Sequence, residues 1–518
     1  MKIGDIIKRA SKYYPDKLAS VFKDVRLTYK ELNDRTNRVG NALLNAGVGK
    51  DDRIGILCYN SNVYQEIFFG AAKTGAVTTT INWRLSPREI NFVINDAEVK
   101  VLFVADNFWG KIESVKDELS TVKIFISIGQ KVPGTIYYED LIKSSDIDEI
   151  NIDLDPHDTV WQLYTSGTTG RPKGVMLTHR NLEADAEHNI IGNQLNRDNA
   201  IHIQVYQMFH IAMKRIVYTA YIFGTTVFLE KFDLKELCEL IEKEKCTDLG
   251  MAPVMWKAFM DYPDLNKYDL RSLKYASYST SPMPRALIKR LLEKFPNITF
   301  FSTYGLTEAG SSLTILPASD YVLDGPDWKL RRLQSLGRPM MGVDVRIVDE
   351  KGEDCPPGNP GEIIGRGENI MKGYWKLTEE TQKTIKNGWL YTGDVGYWDE
   401  YGYIYLADRK KDMIISGGEN IYSREVEEVI NELEDVVEVA VIGVPDDIWG
   451  EAVKAIIVKS YDSELTEADV INYCAQNIAS YKKPKSVDFV SELHRNATGK
   501  IMKRLLREKY WKGKERKV

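Results

Sequence analysis

The sequence predicts an α/β fold: a large N-terminal domain of doubly wound sheets carrying a small β subdomain, followed by an α+β C-terminal domain. Three observations predict it. Apolar strand-like runs alternate with helix-like segments through roughly the first 300 residues. From about residue 336 to 407 short alternating strands separated by Gly/Pro turns replace that pattern. Past Asp408 helices and strands return in a compact mixture. A chain of 518 residues also exceeds what one hydrophobic core supports. The boundary is placed at Asp408, giving domains 1–407 and 408–518.

Residues 53–58 read as a strand, 62–73 as an apolar-faced helix and 76–80 as the next strand. Ser86, Pro87, Arg88 and Glu89 form a capping box with proline at the first helical position, and 99–104 follows as a strand. Residues 159–163 read as a buried strand, and Thr178 as the cap of a helix starting near Asn181, which puts the segment 164–174 between strand and helix. A strand over 298–303 leads into YGLTE. The β subdomain is written in VDVRIVD, the turn DCPPGNPGE and EIIGRG. The C-terminal domain should hold helices over 423–431 and 467–478, strands over 436–444 and 452–458, and a last strand before a basic tail.

Composition narrows the function classes. A net charge of -6 argues against a general nucleic-acid binder, although residues 500–518 hold nine Lys or Arg against two Glu. That tail reads as a solvated helix, with contact to a phosphate-bearing ligand or to a membrane surface left open. Cys58, Cys238, Cys246, Cys355 and Cys474 are scattered without CxxC spacing, which suggests neither a disulfide framework nor a zinc site. No apolar run approaches the roughly 20 residues that span a bilayer, and the first residues lack a signal-peptide core. A cytoplasmic protein, monomer or homodimer, is the expectation.

The segment YTSGTTGRPKG at 164–174 carries the strongest chemistry. Glycines let a backbone approach an anion, Ser166, Thr168 and Thr169 supply hydroxyl donors, and Lys173 supplies a mobile positive charge. These residues suit phosphate. They do not form a Walker loop, because Pro172 precedes the lysine and Gly174 follows it. GRGEN at Gly365 likewise fails as a dinucleotide fingerprint, since Ile370 stands where the third glycine belongs.

Five further blocks follow in order: Phe209 with His210, YGLTE at 304–308, YTGD at 391–394, DRKKDMIISGGENIYSREVE from Asp408, and NATGK ending at Lys500. With the segment 164–174 they resemble the adenylate-forming superfamily, in its acyl-CoA synthetase branch of fatty-acyl and aryl-acid CoA ligases, over nearly the whole chain. The resemblance implies ATP, Mg2+ and CoA as co-substrates and cofactor. It implies formation of acyl-AMP and pyrophosphate from an acid and ATP, then of acyl-CoA and AMP. A stand-alone adenylation enzyme that loads a carrier protein is the alternative.

By the same resemblance Thr165, Ser166, Gly167, Thr168, Thr169, Gly170 and Lys173 hold the β and γ phosphates, with Thr307 beside them and Glu308 as the magnesium ligand. Tyr304 stacks on adenine next to a loop containing Ser281, where Ser279 replaces a glycine usual in relatives. Asp394 accepts the ribose hydroxyls, and Arg409 contacts ribose or phosphate. His210 shapes access to the acid. Lys500 stabilises charge between the carboxylate and the α-phosphate, and Asp408 is the hinge of a mobile C-terminal domain. Gly417, Gly418 and Glu419 line the channel for the phosphopantetheine arm, while Lys482 and Lys483 either meet CoA phosphates or form a surface pair.

For the acid itself, Met213 and Thr303 stand where relatives tend to have glycine. A medium- or long-chain fatty acid or an aryl acid is the expected substrate; this bulk favours a medium-chain or aryl acid, with a distal carboxylate on Lys214 or Arg215 as a variant.

Overall fold

The computed structural model describes residues 1–165, 172–192, 199–279, 283–409, 412–416, 419–495 and 501–512, without the side chains of Arg409 and Asn420. The chain divides into two compact units. One comprises Met1–Val345 and Gly365–Leu390, the other Arg346–Ile364 and Tyr391–Val518. The strand-rich stretch 336–407 is thus shared between them.

The first unit is built on two sheets. In the eight-stranded sheet, parallel strands run in the order Thr159–Thr165, Val77–Thr80, Arg53–Leu57, Val99–Ala105, Ile124–Ile128 and Ile136–Tyr137. Every residue of Arg53–Leu57 is buried, as expected of a parallel strand covered on both faces. The helix Asn62–Thr74 that covers it is capped by Ser61 and is itself almost wholly buried. The capping box of Ser86 and Glu89 closes as the sequence predicts, with Pro87 in the first turn.

The nine-stranded sheet places Leu18–Phe22, Thr225–Phe228, Ile201–Gln204, Asp248–Gly250, Tyr275–Tyr278 and Thr299–Tyr304 side by side in parallel. Thr314–Leu316 and Arg338–Pro339 add antiparallel strands beyond Thr299–Tyr304. Trp256, Phe259 and Phe300 anchor the core against one face. The carboxyl ends of these strands carry Gln204, Gly250, Tyr278 and Tyr304, so the segments that follow them gather at one edge.

One local expectation is corrected. The segment 164–174 does not run from strand into helix, because Lys173–Thr178 is itself a strand, antiparallel to Thr159–Thr165. Val175 and Leu177 are buried, which gives this short strand its inward face. The cap at Thr178 concealed it: Thr178 does accept from the Asn181 amide at 3.1 Å, but the helix begins at His179, directly after the strand.

In the second unit, Trp389–Trp398 pairs antiparallel with Ile404–Arg409. Its other sheet runs Glu419–Ile421, Ile414–Ser416, Gly450–Lys459, Val436–Asp446, with Ser486–Phe489 parallel to Gly450–Lys459. The helices Ser423–Ile430 and Glu467–Asn477 pack Val426, Ile430, Val470 and Cys474 into its core. Among the described residues no helix is long and apolar enough to cross a membrane.

Candidate active site

The strand pair Thr159–Thr165 and Lys173–Thr178 closes with Thr165 opposite Lys173, so these two residues frame the connection between the strands. Ser166, Gly167, Thr168, Thr169 and Gly170 lie outside the described residues, as do Ser281, Gly417, Gly418 and Lys500.

A third strand brings in residues the sequence reading missed. Gly373–Tyr374 pairs antiparallel with Lys173–Thr178, setting Tyr374 opposite Val175. Its position is fixed from the next residue, Trp375. The Arg53 guanidinium carbon lies 3.6 Å from the Trp375 ring centroid, and the indole N–H donates to the Asp96 carbonyl at 2.9 Å. Tyr374 donates its hydroxyl to Glu308 Oε1 at 2.8 Å, and Lys173 Nζ sits 5.0 Å from the centre of the same ring. Lys173 Nζ also donates to Glu380 Oε2 at 2.7 Å. Burial and the adjacent Glu308 carboxylate push the Tyr374 phenol well above its ordinary range, so it remains a donor. The structure therefore joins Lys173 and Glu308 through Tyr374, with Glu380 on the lysine.

Thr307 and Glu308 occupy a short 3-10 turn, Thr307–Ala309, beyond the carboxyl end of Thr299–Tyr304. Gly305 is required there: a Cβ at this position would lie 2.2 Å from the Ser311 carbonyl oxygen. The turn is held from outside. Fully buried Asn369 donates to the Ala309 and Ser312 carbonyls, both at 2.8 Å, and the Met371 amide donates to the Glu308 carbonyl at 2.8 Å. Asn181 in turn donates to the carbonyls of Glu368 and Ile370 at 2.7 Å, fixing the segment that carries Asn369. Tyr304 remains partly exposed at the strand end.

Among the described residues no three His, Cys, Asp or Glu gather into a metal-binding cluster. One carboxylate just beyond a strand end, Glu308, with the Lys173 ammonium across the Tyr374 ring, is a donor set that fits Mg2+, which keeps its waters and takes one or two carboxylates plus substrate phosphates.

The His210 ring lies 5.7 Å from that of Phe209, tilted by 48°, and Phe209 meets Trp83 edge-on; Tyr59 and Phe108 extend this aromatic wall. Met213 is fully buried. The distal-carboxylate variant is overturned. Lys214 Nζ is 2.8 Å from Asp185 Oδ2 and 2.9 Å from Ser312 Oγ, and Arg215 pairs with Asp248 at 3.2 Å. Arg215 also donates to Ser277 Oγ and lies flat against Gly250, where a Cβ would be 2.3 Å from its Nη2. Both cations are committed to internal carboxylates, which would repel a third. Ser279, the departure from glycine, lies 3.3 Å from the Tyr206 hydroxyl through its Oγ.

Within the second unit, Asp394 and Arg409 are directly opposed in the strand pair, so the two residues expected near ribose share one rung. Asp394 is buried, and its amide donates to Thr392 Oγ1 at 3.1 Å. The Asp408 backbone pairs with Val395, and its carboxylate accepts from the Ser423 amide at the start of Ser423–Ile430, where a helix N-terminus favours negative charge. Glu419 opens the strand Glu419–Ile421 opposite Ser416 and is exposed. Lys482 pairs with Glu425 at 2.7 Å.

The pattern that defines AMP-binding enzymes matches residues 7–375, and that of their C-terminal domain matches 425–500. The chain belongs to the AMP-binding enzyme family. Within that family it is 35% identical to a long-chain-fatty-acid–CoA ligase of Mycobacterium tuberculosis over 491 residues, covering 94% of each chain. It is 34% identical to a fatty acid–[acyl-carrier-protein] ligase of Streptomyces coeruleorubidus, over 95% of this chain and 93% of the other. The solved structure of an anthranilate CoA ligase in complex with anthranoyl-AMP superposes with a TM-score of 0.89 at 27% identity, over 98% of this chain and 97% of that one.

Three desolvated histidines, His179 and His188 buried and His210 partly buried, set an acid limit on stability. Burial lowers His179, His188 and His210 to about 4 from 6.5, with Arg84 adding to the effect at His210. Each is neutral in the folded enzyme at pH 7 and would protonate first in the unfolded chain. The stabilisation is therefore complete above pH 6.5 and is lost as pH falls toward 4. At pH 5 the loss should be about 1–2 kcal/mol per imidazole. Urea midpoints measured at pH 7.5 and pH 5 should show it; a midpoint that holds or rises at pH 5 contradicts neutral burial.

Proposed function

We propose that this enzyme is an AMP-forming carboxylic acid:CoA ligase acting on a medium-chain or aryl acid. The carboxylate oxygen attacks the α-phosphorus of ATP, pyrophosphate leaves, and the CoA thiolate then displaces AMP from the acyl-adenylate. The Lys173, Tyr374 and Glu308 constellation, next to the strand ends Thr165 and Lys173, carries the reading, because a cation and a fixed carboxylate held close together are what binding a polyphosphate with its metal ion requires.

In this reading Lys173, Thr165, Thr307 and the residues 166–170 bind the β and γ phosphates. Glu308 would hold Mg2+, which when bound would supply positive charge against the phosphate oxygens. Tyr374 holds the Glu308 carboxylate in place through its hydroxyl. Tyr304 and Ser281 serve the adenine, and Asp394 and Arg409 the ribose. His210, neutral at pH 7, orders the approach of the acid without adding charge. Lys500 offsets the negative charge shared by carboxylate and α-phosphate. Asp408 is the hinge between domains 1–407 and 408–518, and Gly417, Gly418 and Glu419 pass the pantetheine arm. Free, mostly buried cysteines suit a reducing compartment, and we assign the cytoplasm.

Pyrophosphate release across a panel of fatty and aryl acids, with and without CoA, tests the reading. Acid-dependent release with acyl-CoA as product is expected. Acyl-AMP that reacts only with an added carrier protein would favour the carrier-loading alternative. The chain-length restriction has its own test. Removing the buried Met213 side chain in Met213→Gly should raise kcat/KM for longer acids over shorter ones by about 10-fold or more. A wild-type preference for a sixteen-carbon acid over an eight-carbon or benzoic one would show that the pocket runs past this residue.

A further inference from the structure

We propose that Glu380 is a positioning residue that holds Lys173 in a resting place from which the ATP polyphosphate must displace it, so that this carboxylate sets nucleotide and pyrophosphate affinity. The inference rests on the phosphate-binding role assigned to Lys173 above.

The geometry gives the lysine two carboxylates to choose between. Tyr374 stands between them: its hydroxyl is bonded to Glu308, while Lys173 Nζ sits over its ring and reaches Glu380 at 2.7 Å. The pair is sheltered, with the Lys173 side chain 12% exposed and that of Glu380 31%. Glu380 is not held there by chance of a loop. It lies on the short helix Thr378–Thr384, which is tied to the same strand by Thr381, whose Oγ1 accepts from the Tyr374 amide at 2.9 Å and donates to the Leu377 carbonyl at 2.9 Å. Lys383, on the same helix, is 3.3 Å from the other oxygen of Glu380, so the carboxylate has a second cation to fall back on when Lys173 leaves. Lys173 and Lys383 hold the Glu380 carboxyl below its ordinary range, so it is ionised throughout the neutral pH range.

Two consequences follow. Incoming ATP gains the Lys173 contact only by breaking an existing ion pair, which weakens binding relative to a free lysine. Outgoing pyrophosphate is opposed by a carboxylate ready to recapture the same lysine, which favours release. Glu380 also keeps the ammonium off Glu308, leaving that carboxylate available for the metal ion.

The test is a double-mutant cycle read by calorimetric binding of ATP and of pyrophosphate to the full-length enzyme: wild type, Glu380→Gln, Lys173→Met and the double variant. Glu380→Gln should tighten both ligands by about 3- to 10-fold in the Lys173 background, the range of a partly sheltered ion pair. It should have no effect in the Lys173→Met background, and Glu380→Asp should return affinity toward wild type. Steady-state KM for ATP should move with the binding constants. Unchanged or weakened binding in Glu380→Gln overturns the proposal, since a merely structural Glu380 would support a productive lysine. Equal tightening with and without Lys173 also overturns it, because the effect would then be general repulsion. If wild type binds ATP and releases pyrophosphate but the cycle fails, only this inference falls; if wild type binds no ATP, the parent reading falls too.

Discussion

Glu308→Gln should slow acyl-adenylate formation by about 100-fold or more while the protein stays folded. The substitution keeps size and keeps an oxygen that can accept from the Tyr374 hydroxyl, so the 2.8 Å hydrogen bond and the turn around it survive. What is lost is the negative charge proposed to hold Mg2+. A bound divalent ion contributes several kcal/mol to phosphoryl-group chemistry, and each 1.36 kcal/mol is a factor of ten in rate. Tyr374→Phe separates charge from orientation: it leaves the carboxylate and removes only its donor, for which a loss of about 10-fold is expected. Single-turnover release of pyrophosphate at several Mg2+ concentrations distinguishes the two, because Glu308→Gln should also shift the Mg2+ dependence upward. Wild-type rates for Glu308→Gln at limiting Mg2+ would remove this residue from the metal site.

How far the sequence goes is visible in these same residues. Turn and cap signals are local, so the capping box at Ser86 and the cap at Thr178 are legible from spacing, as is the strand Thr299–Tyr304 leading into Thr307 and Glu308. Tyr374 and Glu380 are not. Lys173 and Glu380 are separated by 207 positions and meet only because Gly373–Tyr374 adds a strand to the edge of a sheet begun before residue 60. Two-residue strands have no periodicity to read, and GYW followed by TEET looks like an ordinary turn and helix start. The strand Lys173–Thr178 was hidden for a related reason, since a strand that passes directly into a capped helix has no loop to mark its end. Lys214 shows the opposite failure. Its position beside a presumed acid pocket suggested a ligand for the substrate, but its partner is Asp185, on the helix His179–Gly192.

That buried pair leads to the largest stability effect expected in the molecule. Asp185→Ala should destabilise the first unit by about 3–5 kcal/mol, because it leaves the Lys214 ammonium without its counter-charge in a site from which water is excluded. Desolvation already lowers the Lys214 pKa and raises that of Asp185, so the pair is held against a cost that each partner alone would bear in full. Ser312 and Asn189 cannot replace it, since the hydroxyl that Lys214 meets at 2.9 Å carries no charge, and Asn189 Nδ2 reaches the same hydroxyl as a further N–H donor, at 3.3 Å. The double variant Asp185→Asn with Lys214→Met removes both charges while keeping volume, and should recover most of the loss. Because Ser312 follows the turn Thr307–Ala309 by three residues and its amide donates to the Ala309 carbonyl at 3.3 Å, Asp185→Ala should also lower kcat below its unfolding midpoint, whereas the double variant should restore fold before activity. Urea unfolding followed by tryptophan fluorescence, with pyrophosphate release measured on the same samples, reads both. A midpoint for Asp185→Ala equal to wild type would mean that Lys214 reaches solvent, and would reopen it as a ligand for the acid.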